Sequence, residues 1–225
     1  MAQQPSVNET KAPHSRKVGR KGEFYDERAI SQAAQHCLRQ DSIPVALQPM
    51  VMLETGEAFG FEALARPLTV EGEPIPPQRF ITIIEHMGLM VQVGELLIYS
   101  AFAVARQKQL APRGMELSLN ISPCQFAHRG LAGRLVAIAE QFQMPLELLT
   151  IEITETSPVT DGQIAKDEIN QLREHGIKVS LDDFGTGYSN LNRLCELPAD
   201  AVKIDGSFTA ALTEQRSRLI MASLA

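Results

Sequence analysis

The sequence predicts an α/β barrel of the (β/α)8 class that opens with an antiparallel strand pair. Three observations predict it. Short apolar runs alternate with amphipathic helical segments from residue 115 onward. Polar residues recur where those runs end: Asn120, Glu152 and Asp182 stand about 30 residues apart, near one-eighth of a typical barrel. The 225 residues also approach the length of one such domain, about 250.

The elements follow in order. Residues 26–40 carry Ala29, Ile30, Ala33, Ala34, Cys37 and Leu38 at the spacing of one helical face. The runs VALQPMVML (45–53) and FGFEALA (59–65) flank a short loop holding Thr55 and Gly56, which predicts a hairpin. A proline- and glycine-rich loop at 67–77 leads into a helical region from about 77 to 110, broken near Gly88. MELSLNIS (115–122), LLTIEIT (148–154), IKVSLD (177–182) and DAVKID (200–205) read as strands. Helices are expected at 130–143, 161–175 and near 188–196, with a last one toward the terminus. This order implies right-handed crossovers and a parallel sheet. The strands are expected to be apolar on both faces, as in a sheet covered by helices.

Charge is unevenly placed. Residues 1–23 are expected to form a disordered basic arm and 24–225 the folded domain. Within residues 1–22, Lys11, Arg16, Lys17, Arg20 and Lys21 stand against Glu9 alone, a local charge of +4 within a total of −6, so residues 23–225 carry −10. The ordinary reading of the arm is a solvated tail. Contact with nucleic acid or an anionic membrane is the other, weakly signalled because no aromatic residues interleave the basic ones. The acidic remainder is a poor nucleic-acid binder but suited to metal cations. Cys37, Cys124 and Cys195 are odd in number and form no CxxC pair, which predicts reduced thiols in a cytoplasmic protein. No run reaches the roughly 18 apolar residues of a membrane span, and no secretory signal opens the chain.

Glu62, Asn120, Glu152, Asp182 and Lys203 fall at or near the C-terminal ends of predicted strands, which converge on one face of a barrel. Singly, each has an ordinary structural explanation. Glu62 would pair with Arg66 at the rim, Asn120 would bond a loop backbone, and Asp183 would cap the next segment. Together with Asp183, the acids would repel one another strongly unless neutralised. Oxygen donors without His or Cys suit Mg²⁺ or Mn²⁺ rather than zinc. The adjacent Asp182 and Asp183, at a strand exit, would serve two metals from one segment.

The segments FEALAR (61–66), LQP (47–49), SLNIS (118–122), IEITET (151–156), DDFGTGYSNLNRLCELPADAVKID (182–205) and SF (207–208) resemble the EAL family of bacterial cyclic di-GMP phosphodiesterases. The resemblance runs from about residue 27 to the last residue, and DDFGTGYS followed by LP and KID is its most specific part. It implies a TIM-like barrel of the EAL type with an antiparallel first strand. It also implies metal-dependent hydrolysis of cyclic di-GMP to the linear dinucleotide pGpG. By position, Glu62, Asn120, Glu152 and Asp182 match ligands of a first metal, and Asp182 and Asp183 reach toward a second. Lys203 matches the lysine near the nucleophilic water. Gln48, Leu64 and Arg66 match substrate-contacting positions, Arg66 near a phosphate. Glu155, Gly185 and Gly187 match support for a loop, 184–189, that orders the metal site and meets a partner subunit, implying a homodimer.

The family continues beyond this point with a strand ending in a glutamate and another carrying a glutamine before glycine. Neither segment stands in these 225 residues. The expectation is therefore a barrel without its last two strands, with edges at 45–53 and 201–205 whose apolar inner faces meet water. Three functions stay open on the sequence: a cyclic di-GMP phosphodiesterase, a catalytically inactive cyclic di-GMP receptor, and a protein-interaction regulator. Intact Glu62, Asn120, Asp182 and Asp183 favour the first over the last.

Overall fold

A computed structural model of the protein describes residues 27–154, 162–184 and 197–206, with only the backbone of Thr154, Asp183 and Phe184. The basic arm, Glu155, Gly185, Gly187 and the helices expected near 188–196 and at the terminus lie outside the described residues.

Helix α1 (Glu27–Gln40) buries Ile30, Ala33, Ala34 and Cys37, the predicted stripe. Strands β1 (Val45–Val51) and β2 (Ala58–Ala65) form the antiparallel pair, with Val45 opposite Ala65 and Gln48 opposite Glu62. The helical region is broken where expected, into α2 (Pro77–His86) and α3 (Met90–Gln107). Gly88 separates them at φ 68°, the left-handed conformation that commonly ends a helix. Then come β3 (Glu116–Ile121), α4 (Leu131–Phe142), β4 (Leu149–Thr154), α5 (Gly162–Glu174), β5 (Lys178–Phe184) and β6 (Ala201–Ile204).

The strands make one sheet in chain order, β1 to β6, and every pairing after β1–β2 is parallel. It is a curled arc of a TIM-like barrel, with β1 and β6 as its outer strands among the described residues.

The core lies on the helix side. Leu117, Leu119 and Ile121 of β3, Leu149, Ile151 and Ile153 of β4, and Val179 and Leu181 of β5 pack there with residues of α3, α4 and α5. A second cluster joins α1, α2 and the start of α3. The expectation of strands apolar on both faces is corrected. Alternation is strict, and the intervening residues Ser118, Asn120, Thr150, Glu152, Ser180 and Asp182 take the opposite, concave face. Helices cover the outer face, while the concave face here carries the small and polar residues that lead up to the strand-end acids. The inner faces of the outer strands are mixed, with Ala46 and Met50 beside Gln48 on β1 and Ala201 beside Lys203 on β6. The inward-facing Gln48 and Lys203 are polar, and exposed Val202 aligns with Leu181 on the helix side. The exposed apolar residues near β1 are Val51, Met52 and Leu53, at the hairpin end.

Asp200 fastens the short β6. Its amide donates to Val179 O at 2.7 Å, its Oδ2 accepts the Val179 amide at 2.9 Å, and Arg173 grips Oδ1 from α5 at 2.7 and 2.9 Å. Burial works against the Asp200 charge, but Arg173, the Val179 amide and Lys178 hold its carboxyl below the ordinary value.

Candidate metal centre

The pleat assembles the site. Registers of Asn120 with Glu152, Glu152 with Ser180, and Gln48 with Glu62 place these side chains on one face of neighbouring strands. Of these, Asn120, Glu152 and Glu62 lie toward the C-terminal ends of their strands, as does Asp182, on the face where barrel enzymes keep their chemistry.

Lys203 stands at the centre. Its Nζ lies 2.6 Å from Glu152 Oε2, 3.1 Å from Glu62 Oε2 and 3.4 Å from Asp182 Oδ1. Asn120 Nδ2 donates to Glu62 Oε1 at 2.8 Å. The ordinary pairings expected of Glu62 and Asn120 are therefore not the ones formed. Glu62 engages Asn120 and Lys203, while Arg66 is exposed and donates to Ala65 O at 2.9 Å.

The carboxylates differ in setting. Glu152 is 1% exposed, whereas Glu62 and Asp182 are half-buried. Burial pushes the Glu152 carboxyl above its ordinary value. The hydrogen bond from Lys203 opposes this, and the negative charges of Glu62 and Asp182 add to the rise. Burial favours the neutral Lys203 amine, but the hydrogen bond and charge of Glu152, with Asp182 and Glu62, outweigh it and hold the ammonium well above its ordinary range.

One oxygen from each of Glu62, Glu152 and Asp182 lies within 4.8 Å of the others. With Asn120 alongside, the donor set is all hard oxygen, and three carboxylates against one ammonium leave two negative charges. That charge and those donors fit a divalent cation of the Mg²⁺ or Mn²⁺ kind. Near Asp182 and Asp183 the β5–β6 register is irregular between Leu181 and Phe184. Such a break interrupts the alternation that sends successive side chains to opposite faces.

Other expected positions lie at the rim: Gln48 and Arg66 are exposed and Leu64 half-buried. Two residues were not anticipated. Ser118 and Ser180 are buried on the concave face below the acids; Ser118 Oγ approaches Met50 Sδ at 3.7 Å, and Ser180 Oγ has no hydrogen-bond partner among the described residues. Each stands two positions before a site residue, Asn120 or Asp182, and that spacing was the available signal.

A curled, mostly parallel sheet thus gathers acids, an amide and a lysine toward one end, the arrangement of a TIM-like barrel with a candidate metal site. The EAL domain profile matches residues 28–225, and the chain belongs to that family. The cyclic di-GMP phosphodiesterase RocR of Pseudomonas aeruginosa is 32% identical over 178 residues, 79% of this chain and 45% of RocR. The oxygen sensor protein DosP of Escherichia coli is 35% identical over 198 residues, 86% of this chain and 25% of DosP. The chain thus spans less than half the length of either relative. Among solved structures, the EAL enzyme Bd1971 in its cAMP-bound form has a TM-score of 0.76 at 32% identity, covering 88% of this chain and 55% of that one. The PaMucR phosphodiesterase in complex with c-di-GMP has a TM-score of 0.70 at 32% identity, covering 84% of this chain and 79% of that one.

Proposed function

We propose that this protein hydrolyses cyclic di-GMP to the linear dinucleotide pGpG, using Mg²⁺ or Mn²⁺. The observation that carries the proposal is the convergence of Glu62, Glu152, Asp182, Asn120 and Lys203 at one end of an EAL-family sheet. Glu62, Asn120, Glu152 and Asp182 would hold one ion, with Asp182 and Asp183 serving a second. When bound, such ions lower the pKa of water and neutralise charge on a phosphodiester. Exposed Arg66 binds a phosphate oxygen by its guanidinium fork. Gln48, across from Glu62, and Leu64 orient the nucleotide. Lys203 orients the attacking water and adds positive charge beside the phosphate.

Further readings belong to this proposal. We place the protein in the cytoplasm, in keeping with free Cys37 and Cys124. No helix among the described residues is long and apolar enough to cross a membrane. We also propose a homodimer through residues 184–189, supported by the match of DDFGTGYS to the family.

The test is incubation of the 225-residue protein with cyclic di-GMP and Mn²⁺ or Mg²⁺, beside an EDTA control and Glu62→Gln. Metal-dependent pGpG that disappears in the variant is expected. Folded protein that binds Mn²⁺ and the nucleotide without turnover would make it a receptor instead.

A further inference from the structure

We infer that Lys203 is a displaceable internal cation: its ammonium holds the three carboxylates together without metal, and a divalent ion must expel it to bind. The inference rests on the metal-site reading above and adds an order of events to it.

Three features of the geometry carry it. The Nζ touches an oxygen of each of the same three residues that could hold a metal, Glu62, Glu152 and Asp182. It therefore already occupies their common centre. Its contacts span 2.6–3.4 Å, whereas a Mg²⁺-sized ion draws oxygens in to about 2.0–2.1 Å. An arriving ion must contract the same oxygens around a second positive centre, and like charges a few ångströms apart repel strongly in a partly buried site. Finally, Lys203 can leave. Its stem is a flexible chain, its side chain is 36% exposed, and it stands on the four-residue outer strand β6.

Without metal, the ammonium offsets the repulsion among carboxylates, one of which, Glu152, is almost wholly buried. With metal, that role passes to the ion, and the released ammonium stays within reach of a water beside it. Metal loading and the placing of Lys203 for catalysis are then one event. An empty site would hold its lysine in the wrong place for the reaction.

The test measures Mn²⁺ binding to the 225-residue protein by calorimetry, with no nucleotide present, together with thermal unfolding in EDTA and in Mn²⁺. Lys203→Met is expected to bind Mn²⁺ about tenfold more tightly or better, because a positive charge beside the ion is gone. In EDTA its unfolding midpoint is expected to fall below that of the wild type, and Mn²⁺ should restore more than it adds to the wild type. A Lys203→Met protein that folds only with Mn²⁺ is the same result in a stronger form. Lys203→Gln gives a second comparison without the charge. Unchanged or weaker Mn²⁺ affinity in the folded variants overturns the inference while leaving the metal site standing. So does failure of both variants to fold with or without Mn²⁺, since the lysine would then be needed regardless of the ion. Absence of Mn²⁺ binding in wild type and variants alike overturns the metal reading with it. Loss of hydrolysis with Mn²⁺ binding and the affinity difference intact would count against the proposed activity alone.

Discussion

Glu168 offers a stability test whose size follows from a few contacts. It sits in α5, 1% exposed, and its carboxylate reaches the first turn of α4, accepting the Gly130 amide at 2.6 Å and the Ala132 amide at 2.9 Å. The α4 N-cap is Gly130, at φ 89°, which has no side chain with which to cap the helix. A carboxylate from another helix supplies that cap and also favours the positive end of the helix dipole. Glu168→Ala removes both bonds. A hydrogen bond to a charged group contributes about 1.5–3 kcal/mol. The Ala132 amide would be left buried, whereas water can replace part of what the more exposed Gly130 amide loses. The expected loss is about 3–4 kcal/mol, a large part of the roughly 5–15 kcal/mol that stabilises an ordinary domain. Glu168→Gln keeps the shape and one acceptor oxygen but turns an amide donor toward the other N–H, for a loss of about 1.5–3 kcal/mol. Urea unfolding at neutral pH measures both as shifts in midpoint at constant slope. A cost below about 1 kcal/mol for Glu168→Ala would refute the cap as the reason for this buried acid. A neutral Glu168→Gln would show that charge plays no part.

Three further outcomes are expected. Mn²⁺ affinity should fall as pH drops toward the carboxylate range, beginning above the ordinary value of 4.5 because burial raises Glu152, and metal binding should release protons in that window; affinity flat from pH 7 to 4 would contradict the buried acid as a ligand. Asp200 has a lowered carboxyl, so its contribution to stability is present above its ordinary value of 3.8 and is lost as pH falls through the still lower folded value; acid titration of unfolding should show this loss in wild type and a flatter profile in Asp200→Asn. Gly94→Ala should destabilise despite a helix-propensity gain of about 1 kcal/mol, because its Cβ would come within 2.9 Å of Gln125 Oε1, which accepts the Ser122 amide. A more stable Gly94→Ala protein in urea would show that Gln125 can move aside freely.

Much of this was legible along the chain. Apolar runs separated by helical stripes mark strands and helices because local burial pattern decides them. The hairpin and the break at Gly88 follow from glycine's backbone freedom. The strand-end acids were legible because a polar residue closing an apolar run is conspicuous. The concave face was not. Ser118, Thr150 and Ser180 are small or β-branched, suit a strand on either face, and do not interrupt an apolar run as a carboxylate does. The Glu168 cap was equally hidden, since it joins residues 36 and 38 positions apart by contacts that only packing of α4 on α5 creates.

The placing of Lys203 shows where one-dimensional reading stops and what takes over. Similarity to the family brings Lys203 to the site, but its contact with all three carboxylates depends on where β6 lies, and β6 is short and at the edge of the described sheet. Asp200, three residues earlier, fixes that strand to β5 through Val179 and to α5 through Arg173. With β6 held at its start, the Lys203 backbone is fixed while its long side chain stays free to swing. A lysine that must hold carboxylates in one state and give way to metal in the other needs an immobile base and a mobile tip. The Asp200 clamp supplies the first, and the partly exposed four-carbon stem supplies the second.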